Sequence, residues 1–204
     1  MAAPGIRGVV RWRQLAAAWP LWIFLASCTT LKVPLRFPEV SGPTLQASRE
    51  GVTLGAHLIE GRENYWELFD DELPQIGIAA LWVRIENSRT EPIDLSDLTW
   101  ELEARGESFS DLSTDQVLDR FYDRRGIRFY SVHSDRKTRE DLEKVMLKTG
   151  RLLPAAISQG FVFLDVNPSA GHGWSHGAKL FARGIRLENR QKIEFEFSPI
   201  DAHP

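Results

Sequence analysis

A serine set between glycines, Gly173-Trp174-Ser175-His176-Gly177, is the sharpest chemical signal in the chain. In α/β-hydrolases the G-x-S-x-G spacing makes a tight bend between a strand and a helix, which exposes the serine oxygen as a nucleophile. The flanking sequence does not supply that context. Asn167-Pro168-Ser169-Ala170-Gly171 separates the motif from the preceding strand pattern, and Leu180 to Leu187 after it reads as a strand. Only Asp201 and His203 lie downstream to complete a Ser-Asp-His order, at the chain end, and no HGGG-type oxyanion loop is present. The segment reads as a glycine-rich connection between strands. No catalytic residue is assigned, and a serine hydrolase using Ser175 stands as an alternative.

His172 and His176 raise a second kind of chemistry, metal ligation, with His57 or His133 as further ligands. Zinc needs three or four converging ligands. Two histidines four apart converge on one face of a helix, but glycines at 171, 173 and 177 oppose a helix there. They remain weak candidates for a metal-binding accessory role, and no metal or cofactor is assigned. Asp70-Asp71-Glu72 lacks the spaced acidic-glycine loop of a calcium site and reads as a charged helix end. Arg120, Arg124, Arg125 and Arg128 could meet a phosphate or carboxylate. Asp115, Asp119 and Asp123 are interleaved with them, so a salt-bridged surface is expected.

The single cysteine, Cys28, cannot form an internal disulfide; it is an intermolecular partner, a free thiol or a modified residue. Its surroundings favour modification. Arg7, Arg11 and Arg13 form a positive segment, Leu15 to Leu25 an apolar one, and Leu25-Ala26-Ser27-Cys28 follows directly. This resembles the lipobox of bacterial lipoproteins. The resemblance implies cleavage between Ser27 and Cys28, lipid on Cys28 and attachment to a membrane. A transmembrane helix needs about 20 apolar residues, and this stretch is shorter and interrupted by Pro20. Thr29, rather than aspartate, follows the cysteine, which in Gram-negative lipoproteins implies the periplasmic face of the outer membrane.

Residues 1–27 hold three arginines and no acid, so their removal leaves 177 residues and moves the formal charge from −3 to −6. That length suffices for one domain with its own core. The acidic balance disfavours nucleic acid, whose affinity comes from Lys and Arg on phosphates, and equally disfavours adsorption to anionic lipid. Attachment must then be covalent.

The elements that position these residues read mainly as strands. Residues 29–48 carry three prolines and read as a lipid-anchored tether, which places the segment 28–48 between lipid and domain. Val52, Leu54, Ala56 and Leu58 alternate with Thr53, Gly55 and His57, the period of a strand. Tyr65 to Phe69 reads as a short helical turn. Ile76 to Ile85 is almost continuously apolar, as in a strand covered on both faces. Ile93 to Glu103 reads as a strand with Leu98, Trp100 and Leu102 on one side. Ser113 to Gln116 and Thr138 to Asp141 are capping-box patterns that predict two short helices, an insert over about 113–149. Strands follow at Phe161–Val166, Ala178–Leu187 and Lys192–Phe197, the last two joined through Glu188-Asn189-Arg190-Gln191.

Six or seven strands without an alternating strand-helix rhythm predict an antiparallel β-sandwich over 49–200. The strand ending Val83-Arg84-Ile85-Glu86-Asn87, the insert, and Leu153-Pro154 leading into Gly160-Phe161-Val162-Phe163 make the run similar to immunoglobulin-like domains of envelope lipoproteins. That resemblance implies no activity, and the Cys–Trp–Cys pattern of true immunoglobulin domains is absent. The expectation is a non-enzymatic, membrane-anchored module that binds another envelope protein and no nucleic acid. Trp66 and Trp174 lie in turn or loop contexts and are the candidate partner-binding residues, since aromatic anchors are enriched at such sites. That role requires both to be exposed.

Overall fold

The computed structural model describes residues 31, 32, 34, 44–126, 132–169 and 174–197. They form two antiparallel sheets packed face to face, with helices laid over the outer side of one of them. The mainly β, sandwich-like architecture with helical insertions is the one expected from the pattern.

The first sheet runs β1 (Thr44–Arg49), β2 (Val52–Leu58), β3 (Ile78–Asn87) and β8 (Ile157–Asp165) in that spatial order. β1 begins inside the segment expected to be tether. Its pairing with β2 closes through Glu50-Gly51, both at positive φ (52° and 77°). Positive φ at both central residues is the primed hairpin turn that matches strand twist. With glutamate rather than Asn or Asp ahead of the glycine, the usual sequence signal for that turn is missing. The same device at Arg105-Gly106 (φ 55° and 82°) joins β5 (Thr99–Ala104) to β6 (Glu107–Ser110), a strand the pattern did not announce.

In the second sheet, β9 (Lys179–Leu187) is central. Its residues pair with β10 (Lys192–Phe197) on one edge. The other edge carries β5 and then β4 (Ile93–Asp94), end to end. β7 (Arg151–Leu152) pairs outside β4, as β6 does outside β5. The expected single strand from Ile93 to Glu103 is therefore two strands. Four residues lie between Asp94 and Thr99, where β9 has only two between Arg186 and Arg183. The surplus arches over Gly184, where a Cβ would lie 2.8 Å from the Asp97 carbonyl carbon. Glycine at φ 91° is what lets the bulge sit there.

Between the sheets lies one core, including Val52, Leu54, Leu81, Val83, Trp100, Leu102, Leu164 and Leu180. A second core lies on the far side of the first sheet. There Ile78, Ala80, Phe161 and Phe163 meet α1 (Arg62–Phe69), α2 (Thr114–Arg125) and α3 (Val132–Val145). Phe69 sits edge-on to Phe161 and Phe163 at 5.3 and 5.8 Å, pairs that contribute about 0.5–1.5 kcal/mol each beyond area burial. β3 serves both cores, with Ala79, Leu81, Val83 and Ile85 toward one and Ile78 and Ala80 toward the other. This is the physical basis of its nearly continuous apolar run.

The capping box at Ser113 and Gln116 does start α2, whose Val117, Leu118, Phe121 and Tyr122 are buried. The second pattern does not start a helix. α3 begins six residues earlier, and Thr138 is a buried interior residue. Residues 132–137 are almost wholly polar, so periodicity had nothing to register there. The free edge of β8 is covered by Asp111-Leu112 on one stretch and Met146-Leu147 on another, which blunts it as a template for stray strands.

Candidate functional site

The face built by α1 gathers the features closest to the N-terminal segment. Gly61 at φ 80° turns the chain out of the first sheet, and Asp70 at φ 56° ends the helix. Tyr65, Leu68 and Phe69 point inward; burial raises the Tyr65 hydroxyl well above the usual phenol range, and its oxygen accepts from the Ala80 amide at 3.0 Å. Leu31 lies in the same core, only 4% exposed, and the Lys32 ammonium donates to the Glu67 carbonyl at 3.1 Å. The chain is therefore pinned to α1 at Leu31. No sequence periodicity marks an isolated leucine of this kind.

Trp66, on the outer side of α1, is 42% exposed. Its indole N–H donates to Glu72 Oε1 at 3.0 Å. Glu72 is itself buried and also receives Arg62 and Gln75. Asp71 instead pairs with Arg125 at 2.7 Å, and Asp70 is the helix cap. The three acids thus serve three different structural ends. The arginines of α2 behave likewise, though their partners lie across elements and not along the helix. Arg120 grips Asp165 with two bonds of 2.7 and 2.8 Å and donates to the Gly77 carbonyl, while Arg124 donates to Gln75. Arg128 lies outside the described residues.

Trp174 does not meet the exposure that partner binding requires. It is 3% exposed and packs in the core between the sheets, because the turn 174–177 folds inward over the sandwich. The two candidate tryptophans thus differ in exposure, one outside and one within. Ser175 follows Trp174 inward, is 2% exposed and donates its hydroxyl to Glu60. In a hydrolytic triad the serine meets a histidine, which the acid then orients. Here the acid takes the hydroxyl directly, and His176 is exposed. Among the described residues no group of three or more His, Cys, Asp or Glu side chains converges in a metal-binding arrangement. Cys28, Ser27, His133, His172, Asp201 and His203 lie where side chains are not described.

Two clefts were not foreseen. One, of about 280 Å³, lies on the outer face of the first sheet beyond the helices, lined by His57, Trp82, Arg84, Gln46 and Gly55. Burial lowers the His57 pKa, with the Glu60 charge opposing, so the imidazole is neutral near pH 7. The cross-strand pairs His57–Trp82 and Gly55–Arg84 create this cleft, a juxtaposition that depends on register. The other, about 460 Å³, is lined by Arg151, Arg186 and Arg190 together with Asp94 and Glu188. Hydrogen bonds from Ser96 hold the Asp94 carboxyl below its ordinary pKa, helped by Arg186 and Arg151. Arg186 is already engaged by Asp97. Among the described residues no helix is long and apolar enough to cross a membrane.

No protein-family model matches the chain, and no curated protein matches it. Among solved structures, a candidate lipoprotein from Bacillus subtilis is similar at a TM-score of 0.37 and 11% identity, over 78% of this chain and 39% of that one. A functionally unknown protein from Listeria monocytogenes is similar at 0.41 and 9% identity, over 80% of this chain and 90% of that one. A conserved hypothetical protein from Bacillus anthracis is similar at 0.32 and 10% identity, over 77% and 99%. The chain spans about two fifths of the first of these, and similarity at these scores assigns no function.

Proposed function

We propose that this protein is a lipid-anchored component of the bacterial envelope, held by acyl chains on Cys28, whose sandwich domain acts by binding another envelope protein. The observation that carries the reading is the run of three arginines, an apolar segment and Leu25-Ala26-Ser27-Cys28 placed directly ahead of a folded domain. Each buried methylene contributes about 0.8 kcal/mol, so two or more acyl chains hold stably where one does not. The acidic mature chain needs such an anchor, since charge alone gives it no affinity for anionic lipid. Thr29 after the cysteine directs it to the outer membrane in a Gram-negative envelope. Binding is favoured over hydrolysis by the burial of Ser175 against Glu60, which leaves its oxygen no open approach.

The test is mass spectrometry of the N-terminal peptide from protein expressed in a Gram-negative host, beside a Cys28→Ser form. Acylated Cys28 at the mature N-terminus, with wild type in the membrane fraction and the variant released, is the expected result. A mature chain with unmodified Cys28 overturns the anchor. Affinity capture from envelope extract then tests the partner, with a reproducible protein expected on the wild type and none of it on a mock sample.

A further inference from the structure

We infer that the α1 face is apposed to the bilayer that holds Cys28, with Trp66 seated at the level of the phospholipid headgroups. This rests on the lipid-anchor reading and adds to it an orientation and a contact surface.

The argument starts from Leu31. Its side chain is buried with Tyr65 and Leu68, and Lys32 beside it is tied to the Glu67 carbonyl. Three peptide units separate Leu31 from Cys28. At 3.8 Å between consecutive Cα atoms, the cysteine lies within about 11 Å of Leu31 whatever path the chain takes. The headgroup zone on each side of a bilayer is about 5–8 Å deep. Acyl chains on Cys28 must reach the hydrocarbon, so α1 cannot stand farther from it than about the headgroup layer and the width of a helix. The exposed side of α1 is then within reach of the headgroups, and it is the side placed against them here.

What it exposes suits the place. Trp66 is 42% exposed, the one large aromatic side chain so displayed among the described residues. Its N–H is already satisfied by Glu72, so no polar group is stranded when the ring leaves water. Tryptophan favours the interface because its ring is apolar and its edge polar. Around it, Lys32 and Arg62 stand among Glu63, Glu67 and Asp70. Mixed charge of this kind fits zwitterionic headgroups and gives no adsorption without the anchor.

The experiment uses the mature protein lipidated at Cys28, in phosphatidylcholine vesicles whose acyl chains are brominated near the headgroup, compared with unbrominated vesicles. The mature chain contains Trp66, Trp82, Trp100 and Trp174, so a W66F variant isolates the first. Bromine is expected to quench part of the wild-type emission, and that loss disappears in W66F while both proteins float with the vesicles. Equal quenching in the two proteins, or none in either, with both still floating, overturns the inference and leaves the anchor standing. Protein that neither floats nor carries acyl mass on Cys28 overturns both together.

Discussion

Replacing Asn87 with alanine removes a clasp that joins two distant parts of the chain. The side-chain amide is fully buried; its two N–H groups are shared among the carbonyls of Glu91, Leu152 and Leu153 at 3.0–3.2 Å, while its oxygen accepts from the Arg89 amide at 3.1 Å. The backbone repeats the connection, with Asn87 N–H donating to Ala156 and Ala155 N–H to Asn87. Each such bond contributes about 0.5–1.5 kcal/mol net, and a buried group left unpaired costs about 1–3 kcal/mol. The Leu152 carbonyl is buried with its bond; the other two are partly buried, so water can replace their partner at reduced cost. The expected loss for Asn87→Ala is about 2–4 kcal/mol. For a domain of this size each kcal/mol lowers Tm by about 2–4 °C. Thermal and urea unfolding of the mature domain, followed by circular dichroism, measure both quantities. A loss below about 0.5 kcal/mol, the range of an ordinary surface change, would refute the reasoning, since it would mean that the clasp is no better than solvent.

Gly160→Ala should destabilise by about 1–3 kcal/mol, because a Cβ there lies 2.6 Å from Leu147 Cα and backbone must shift to admit it; an unchanged melting curve would contradict the close approach. Ser175→Ala should cost about 1–2 kcal/mol by stripping Glu60 of its hydroxyl donor, and leave any ester hydrolysis at the wild-type level. Loss of a wild-type esterase activity in that variant would restore the hydrolase alternative. His57 has a folded pKa below its ordinary 6.5, so protonation opposes folding: stability is full above 6.5 and falls as pH drops from there toward the lowered value. A His57→Gln variant should lose that part of the slope, measured as urea midpoints between pH 7.5 and 5; parallel curves for the two proteins would show that His57 carries none of it.

What the sequence disclosed followed from one-body patterns. Alternation at Val52, Leu54, Ala56 and Leu58 gave β2 its inward face, and Ser113 with Gln116 marked the start of α2. What stayed hidden depended on two distant residues meeting. Gly184 is an ordinary glycine until Asp97 arches over it, and Trp174 looks like a loop tryptophan until its turn folds into the sandwich. The α1 face is half legible: the turn context of Trp66 marks it as a candidate contact, whereas Leu31 stands in a proline-rich segment whose composition suggests a free tether. The strand ending at Asn87 and the Leu153-Pro154 segment are each legible by themselves in the sequence. Only the fold shows that one holds the other.

β3 has one further consequence, which concerns how this protein can change over time. A strand that faces solvent on one side can drift at every second position. β3 has core neighbours on alternate residues toward both sides from Ile78 to Val83, so neither parity is free there. A substitution at Ala80 disturbs the helical layer, and one at Leu81 disturbs the sandwich. Across homologues this segment should be the slowest to vary, while β6, exposed along most of its length, is free to diverge.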